Sequence, residues 1–205
     1  MALKIAVLGS TKGSDLQGVI NAIESGILNA EISLVLSNKK NAFILERAKK
    51  HNLKAIYVNP KEFASKEKFD EKLIELLEKE KVELILLIGW MRILSAKFCN
   101  QFKNRIINIH PSLLPEFAGG MDLNVHEEVL KAGKKVTGCT LHFVTAEVDE
   151  GPIIMQKKVQ VLDEDTAETL KEKVQKAEQE IIIKAVELFE EGKIKVAGNK
   201  VIIDG

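Results

Sequence analysis

Short apolar runs alternate with longer segments of helical period through the first half of the chain. KIAVLG (4–9) is strand-like, and SDLQGVINAIESG (14–26) sets Leu16, Val19, Ile20 and Ile23 at helix spacing. EISLVLS (31–37) is a second strand, followed by a helix over AFILERAKKH (42–51) and a strand over KAIYV (54–58). SKEKFDEKLIELLEKEK (65–81) is amphipathic, with Phe69, Leu73, Leu76 and Leu77 on one stripe. ELILLIG (83–89) and RIINIH (105–110) are further strands; the first is apolar throughout, as a strand covered on both faces must be. This β-α-β-α rhythm predicts an α/β fold: a Rossmann-like, doubly wound, mostly parallel sheet.

The second half breaks the rhythm. Three of the four prolines fall between Pro111 and Pro152, around a helix expected at NVHEEVLKAG (124–133). TGCTLHFV (137–144) and PIIMQKKVQV (152–161) read as antiparallel or mixed strands. A long helix opens at the cap residue Asp165 or Thr166 and runs to about Glu191. The remainder, GKIKVAGNKVIIDG, is a hairpin turning at Gly198-Asn199. No repeat or linker interrupts this order, so one domain over residues 1–205 is the economical expectation.

Charge narrows the partners. Lys plus Arg and Asp plus Glu balance at 30 each, so no whole-chain field favours nucleic acid or a membrane, and an anionic ligand needs a local site. Two cysteines without metal spacing suit reduced thiols and a cytoplasmic setting. The first apolar run is too short to span a bilayer. Helix stripes here need no partner, so monomer and homodimer both remain open.

Candidate chemistry sits at two places. In LGSTKGSDLQ, Gly13, Ser14 and Asp15 open a helix whose backbone N–H groups can seat an anion. A dinucleotide fingerprint and a Walker A motif are both absent; Ser37-Asn38-Lys39 after the second strand leaves an NADP reading as the minor option. In IINIHPSLLPEF (106–117), Asn108 and His110 project to one face at a strand end, where open α/β sheets bind ligands. Asp149, in AEVDEGPIIMQ (146–156), fits a solvated turn, or a carboxylate that orients His110 and raises its pKa. Of the other histidines, His51 reads as solvated, His126 as a surface residue, and His142 as a core histidine. No spacing supports a metal site, and Ser112 lacks a nucleophile elbow.

These segments together resemble the phosphoribosylglycinamide formyltransferase family. NIHPSLLP (108–115) is similar to its catalytic signature, GCTLHFVTAEVDEGPIIMQ (138–156) to its aspartate loop and flanking strands, and GWMRILS (89–95) to its folate wall. The resemblance runs from Lys4 to about Glu191. It implies the formyltransferase fold, and transfer of a formyl group from 10-formyltetrahydrofolate to the amine of glycinamide ribonucleotide in purine biosynthesis, with no metal. Asn108, His110 and Asp149 would be catalytic. Gly13, Ser14 and Asp15 would hold the phosphate, and Glu178 the ribose. Lys66, Met91, Arg92, Ile93, Leu94 and Asn108 would contact the folate. Methionyl-tRNA formyltransferase and formyltetrahydrofolate deformylase share the HPSLLP segment but carry an additional domain, for which 205 residues leave no room. A binding module with vestigial residues is the non-enzyme alternative. The loop departs from the family's SGxGSN: Asp15 sets an anion beside a phosphate and should weaken binding unless its side chain turns away, with Lys12 compensating. The segment EFAGGMDLNVHEE is also shorter than in some members.

Overall fold

The computed structural model describes residues 2–120 and 123–204. Met121 and Asp122, in the EFAGGMDLNVHEE segment, and the two end residues of the 1–205 span lie outside the described residues. The chain runs β1 (Leu3–Leu8), α1 (Ser14–Glu24), β2 (Ala30–Ser37), α2 (Phe43–Lys50), β3 (Ala55–Tyr57), α3 (Lys66–Lys79), β4 (Leu84–Leu87), α4 (Ala96–Gln101) and β5 (Ile106–His110). It continues with α5 (Leu123–Lys131), β6 (Val136–Phe143), β7 (Ile153–Gln160), α6 (Ala167–Glu190), β8 (Ile194–Ala197) and β9 (Lys200–Ile203).

Seven strands form one sheet in the order β3-β2-β1-β4-β5-β6-β7, and β8-β9 is a separate hairpin. The first five are parallel; β6 and β7 add antiparallel. Alternation along the strands feeds two cores. Ile5 and Val7 pack beneath α1, α2, α5 and α6, whereas Ala6 and Leu8 pack beneath α3 and α4 with Phe69, Leu73 and Phe98. Each such fully buried large side chain contributes roughly 1.5–3 kcal/mol. Apolar periodicity missed only short pieces: α4, opened by Ser95 Oγ accepting from the Phe98 N–H, and a 3-10 turn at Pro60–Glu62.

Strand order reverses between β1 and β4, so the loops leaving those strands part and open a crevice at the carboxyl edge. α1 lies close against α6, where a Cβ on Gly18 would stand 3.0 Å from Gln179 Cγ. Thr166 caps α6 through a reciprocal pair of hydrogen bonds with Thr169. His51 is partly exposed at the end of α2, with Nδ1 2.7 Å from Glu24 Oε1 and Nε2 3.2 Å from Gln17 Nε2, tying α2 to α1.

Candidate active site

One cavity of about 600 Å³ occupies the carboxyl edge of the sheet, a size suited to a small-molecule ligand. Its floor is the end of β5. The antiparallel register of β5 on β6 sets Asn108 opposite His142 and His110 opposite Thr140. Past His110, Thr140 Oγ1 donates to Ser112 O at 2.7 Å and accepts from Leu114 N–H at 2.9 Å, and Gln156 Nε2 donates to Leu114 O. The HPSLLP segment is thereby pinned by a buried polar network, and Ser112 is entirely buried within it.

The polar centre can be read proton by proton. A backbone carbonyl only accepts, so His142 carries hydrogen on Nδ1, which donates to Phe143 O at 2.9 Å. Its Nε2 then accepts from Asn108 Nδ2 at 3.1 Å. This fixes the Asn108 amide and leaves its second N–H for a ligand. By the same logic His110 donates through Nε2 to Phe117 O at 2.9 Å, with Nδ1 facing Asp149 Oδ2 at 3.5 Å. Asp149 also lies 3.6 Å from His142 Nε2 and accepts from Gly119 N–H at 2.9 Å.

The Asp149 loop approaches β6 so closely that a Cβ on Gly151 would lie 1.7 Å from Phe143 O, and Asp149 itself holds a left-handed φ of 56°. Such backbone strain collects where a side chain must be aimed. His142, Gly119 and His110 hold the Asp149 carboxyl down at about 2, so it is ionised at neutral pH. The expected rise in the His110 pKa is not the outcome. Asp149 and the Phe117 carbonyl do pull it upward, but burial, aided by nearby His142, outweighs them and leaves the ring below its ordinary value.

At the opposite end, Gly13 adopts φ 64° at the start of α1, and a Cβ there would strike Ile44 at 2.4 Å. No side chain caps this helix, and Gly13, Ser14 and Asp15 line the cavity, an arrangement of uncapped N–H groups that can accept an anion. Arg47 Nε donates to Lys12 O and Gln179 Nε2 to Ser14 O, bracing the loop from two sides. Asp15 is buried, and burial pushes its carboxyl up to about 7 against the opposing pull of Gln179 and Lys171.

The third wall is GWMRILS. Gly89 turns with φ 59° against Thr11, and Ser10 Oγ accepts from Met91 N–H at 3.0 Å. Trp90 stacks on Phe69, and the Arg92 guanidinium lies 4.9 Å from the Phe69 ring centre. Asp70 Oδ2 accepts from Ser95 N–H at 2.6 Å and fixes the exit of the segment.

Every residue to which the resemblance assigns a site role lines this cavity. Gly13, Ser14, Asp15 and Glu178 form one end; Lys66, Met91, Arg92, Ile93 and Leu94 form the wall; Asn108, His110 and Asp149 form the floor. Two histidines were misjudged. His126 is buried and lines the cavity rather than the surface, and His142 is part of the polar centre rather than a plain core residue. The usable signal for His142 was its place opposite Asn108, which needs the β5–β6 register. The NADP option fails on placement: Ser37 Oγ closes the turn on Lys39, and neither Lys39 nor Lys40 reaches the cavity lining. Among the described residues, no group of three or more His, Cys, Asp or Glu is arranged to hold a metal ion, and no helix is long and apolar enough to cross a membrane.

A doubly wound sheet with an amide, two imidazoles and a carboxylate at its carboxyl edge defines a class, and comparison with known proteins identifies it. The chain belongs to the formyl transferase family, whose model matches residues 3–186. It is 39% identical over 202 residues to the phosphoribosylglycinamide formyltransferase of Haemophilus influenzae, covering 98% of this chain and 94% of that one. It is 43% identical over 194 residues to the chicken trifunctional purine biosynthetic protein adenosine-3, a match that spans 95% of this chain but 19% of that longer protein. Among solved structures, glycinamide ribonucleotide transformylase 1 from Symbiobacterium toebii superimposes with a TM-score of 0.94 at 40% identity, covering 100% of this chain and 95% of that one.

Proposed function

We propose that this chain, as one catalytic domain over residues 1–205, transfers the formyl group of 10-formyltetrahydrofolate to the amine of glycinamide ribonucleotide. The observation that carries the reading is a single cavity joining an uncapped helix N-terminus to the Asn108–His110–Asp149 centre. The Gly13–Asp15 end suits a phosphate, with Glu178 beside it for ribose hydroxyls. The wall of Trp90, Met91, Ile93 and Leu94 suits a flat heterocycle, and the Lys66 and Arg92 cations suit its glutamate tail. The setting this implies is cytoplasmic, with small-molecule substrates and the chain acting as a monomer or homodimer.

The chemistry follows from the proton assignments. The amine nitrogen bonds to the formyl carbon, and the bond from that carbon to the folate nitrogen breaks. Asn108 directs its remaining N–H at the oxygen that becomes negative, a contact that lowers the barrier by several kcal/mol. Asp149 is too acidic to take the amine proton. His110 does so: its Nε2–H is committed to Phe117, so the proton arrives at Nδ1, where the Asp149 carboxylate stabilises the imidazolium. The same proton then passes to the leaving folate nitrogen, so none is gained or lost overall.

The test is incubation with both substrates, following deformylated folate by absorbance, with a parallel run lacking the ribonucleotide. Formylated ribonucleotide is expected only in the complete mixture; equal rates in both runs would mean hydrolysis instead. His110→Ala is expected to keep its fold, judged by circular dichroism, and to lose ~10²–10⁴-fold in kcat. Near-normal turnover would remove His110 from the mechanism.

A further inference from the structure

The anion seat at α1 contains a group that ought to repel its ligand. Asp15 is the second residue of α1, so its backbone N–H belongs to the seat while its carboxyl lies a few bonds away. That carboxyl turns toward α6 and β6: Gln179 is its hydrogen-bond donor, and Oδ1 has no partner among the described residues. Asp15 is 6% exposed, so water does not screen it.

We propose that Asp15 makes binding of the anionic end of the substrate proton-linked: the phosphate settles on the α1 N-terminus when the Asp15 carboxyl is neutral. The inference rests on the phosphorylated substrate read above and assigns this chain's own loop a pH-dependent specificity. A neutral Asp15 has nearly the shape of asparagine and adds no charge to the seat. An ionised Asp15 puts a buried negative charge beside a dianion.

The groups around it bear on the titration. From α6, Lys171 favours the ionised form and Glu178 adds negative charge nearby. From β6 comes the Cys139 thiol, pushed up to about 12 by burial, by Glu178 and by Asp15, and so uncharged here. His126 of α5 lines the same cavity, Lys12 precedes the seat, and Arg47 of α2 is committed to Gln17 and the Lys12 carbonyl. Burial outweighs the single cation, so the carboxyl loses its proton around neutral pH. Linkage is reciprocal, so a bound dianion in turn draws a proton onto Asp15.

The experiment measures KM for glycinamide ribonucleotide and kcat between pH 6 and 8.5 for the natural protein and Asp15→Asn, an amide that cannot ionise. Between pH 7 and 8.5 the neutral fraction of Asp15 falls from about half to about 3%, so KM of the natural protein should rise about 16-fold. In Asp15→Asn that rise should vanish, while the pH dependence of kcat stays parallel in the two proteins. The ligand phosphate finishes ionising near pH 6–7 and is common to both, so the difference isolates Asp15. Calorimetry with the ribonucleotide at pH 8 in two buffers of different ionisation heat should show proton uptake by the natural protein alone. Parallel KM profiles, or no uptake, overturn the inference while leaving the activity standing. Absence of formylation by both proteins at every pH overturns the substrate assignment, and the inference with it.

Discussion

At one end of the cavity Asp149 sits between two imidazoles and a backbone N–H; at the other, Asp15 lies beneath α6 with Gln179 as its donor. Both carboxyls are largely withdrawn from water, yet one is held down at about 2 and the other pushed up to about 7. Burial acts in the same direction on both, toward the neutral form. The partners make the difference: Asp149 Oδ2 accepts from Gly119 N–H and each of its oxygens faces an imidazole, whereas Asp15 Oδ1 has no partner among the described residues. A carboxyl placed for its charge and one tolerated by losing its charge thus stand in the same cavity.

The largest effect expected from breaking this contrast is catalytic. Asp149→Asn removes the fixed anion that stabilises a proton on His110. Its kcat should fall by about 10²-fold, the lower range for a positioned acid–base group. Because Asp149 raises the His110 pKa against burial, the acidic limb of the rate profile should also move to lower pH. A pH–kcat series checks both, and an unmoved limb would mean the two groups are uncoupled.

Stability should separate the carboxyls by sign. Asp149 has a folded value below its ordinary 3.8, so its contribution is complete above that value and is lost as pH falls through about 2. Asp15 has a folded value above 3.8, so stability is full below 3.8 and declines until about pH 7, where the loss is complete. Urea unfolding at pH 7.5 should find Asp149→Asn destabilised by roughly 2 kcal/mol and Asp15→Asn stabilised by a similar or larger amount, about 2–4 kcal/mol. At pH 4 most of the Asp15→Asn gain should be gone. Shifts of the same sign for both variants would contradict the contrast.

Legibility in the sequence divides along the same line. The parallel strands announce themselves because both faces are covered, as in the unbroken run Leu84–Leu87. Asn108 and His110 are readable because two polar groups at a strand end need a reason. The fate of Asp15 is not readable, since it depends on α6, more than 150 residues away, closing over the loop. His142 depends likewise on the β5–β6 register, and His126 on which face of α5 meets the sheet. Local pattern gives elements and their ends; the electrical state of a side chain is set by whatever distant segment covers it.

The smallest expected effect tests that last point at a single residue. Gln179 donates to Ser14 O and hydrogen-bonds the Asp15 side chain, a contact that favours the ionised carboxyl. Gln179→Met keeps the volume between α1 and α6 and removes both bonds, at a stability cost of about 1 kcal/mol. With the opposing pull reduced to Lys171, burial should raise the Asp15 pKa further, moving its carboxyl carbon titration by NMR to higher pH by a fraction of a unit. The Asp149 titration, whose donors are untouched, should stay where it is. If Asp15 instead titrates at the same pH with and without Gln179, hydrogen-bond partners do not distinguish these two carboxyls, and another source of the difference is required.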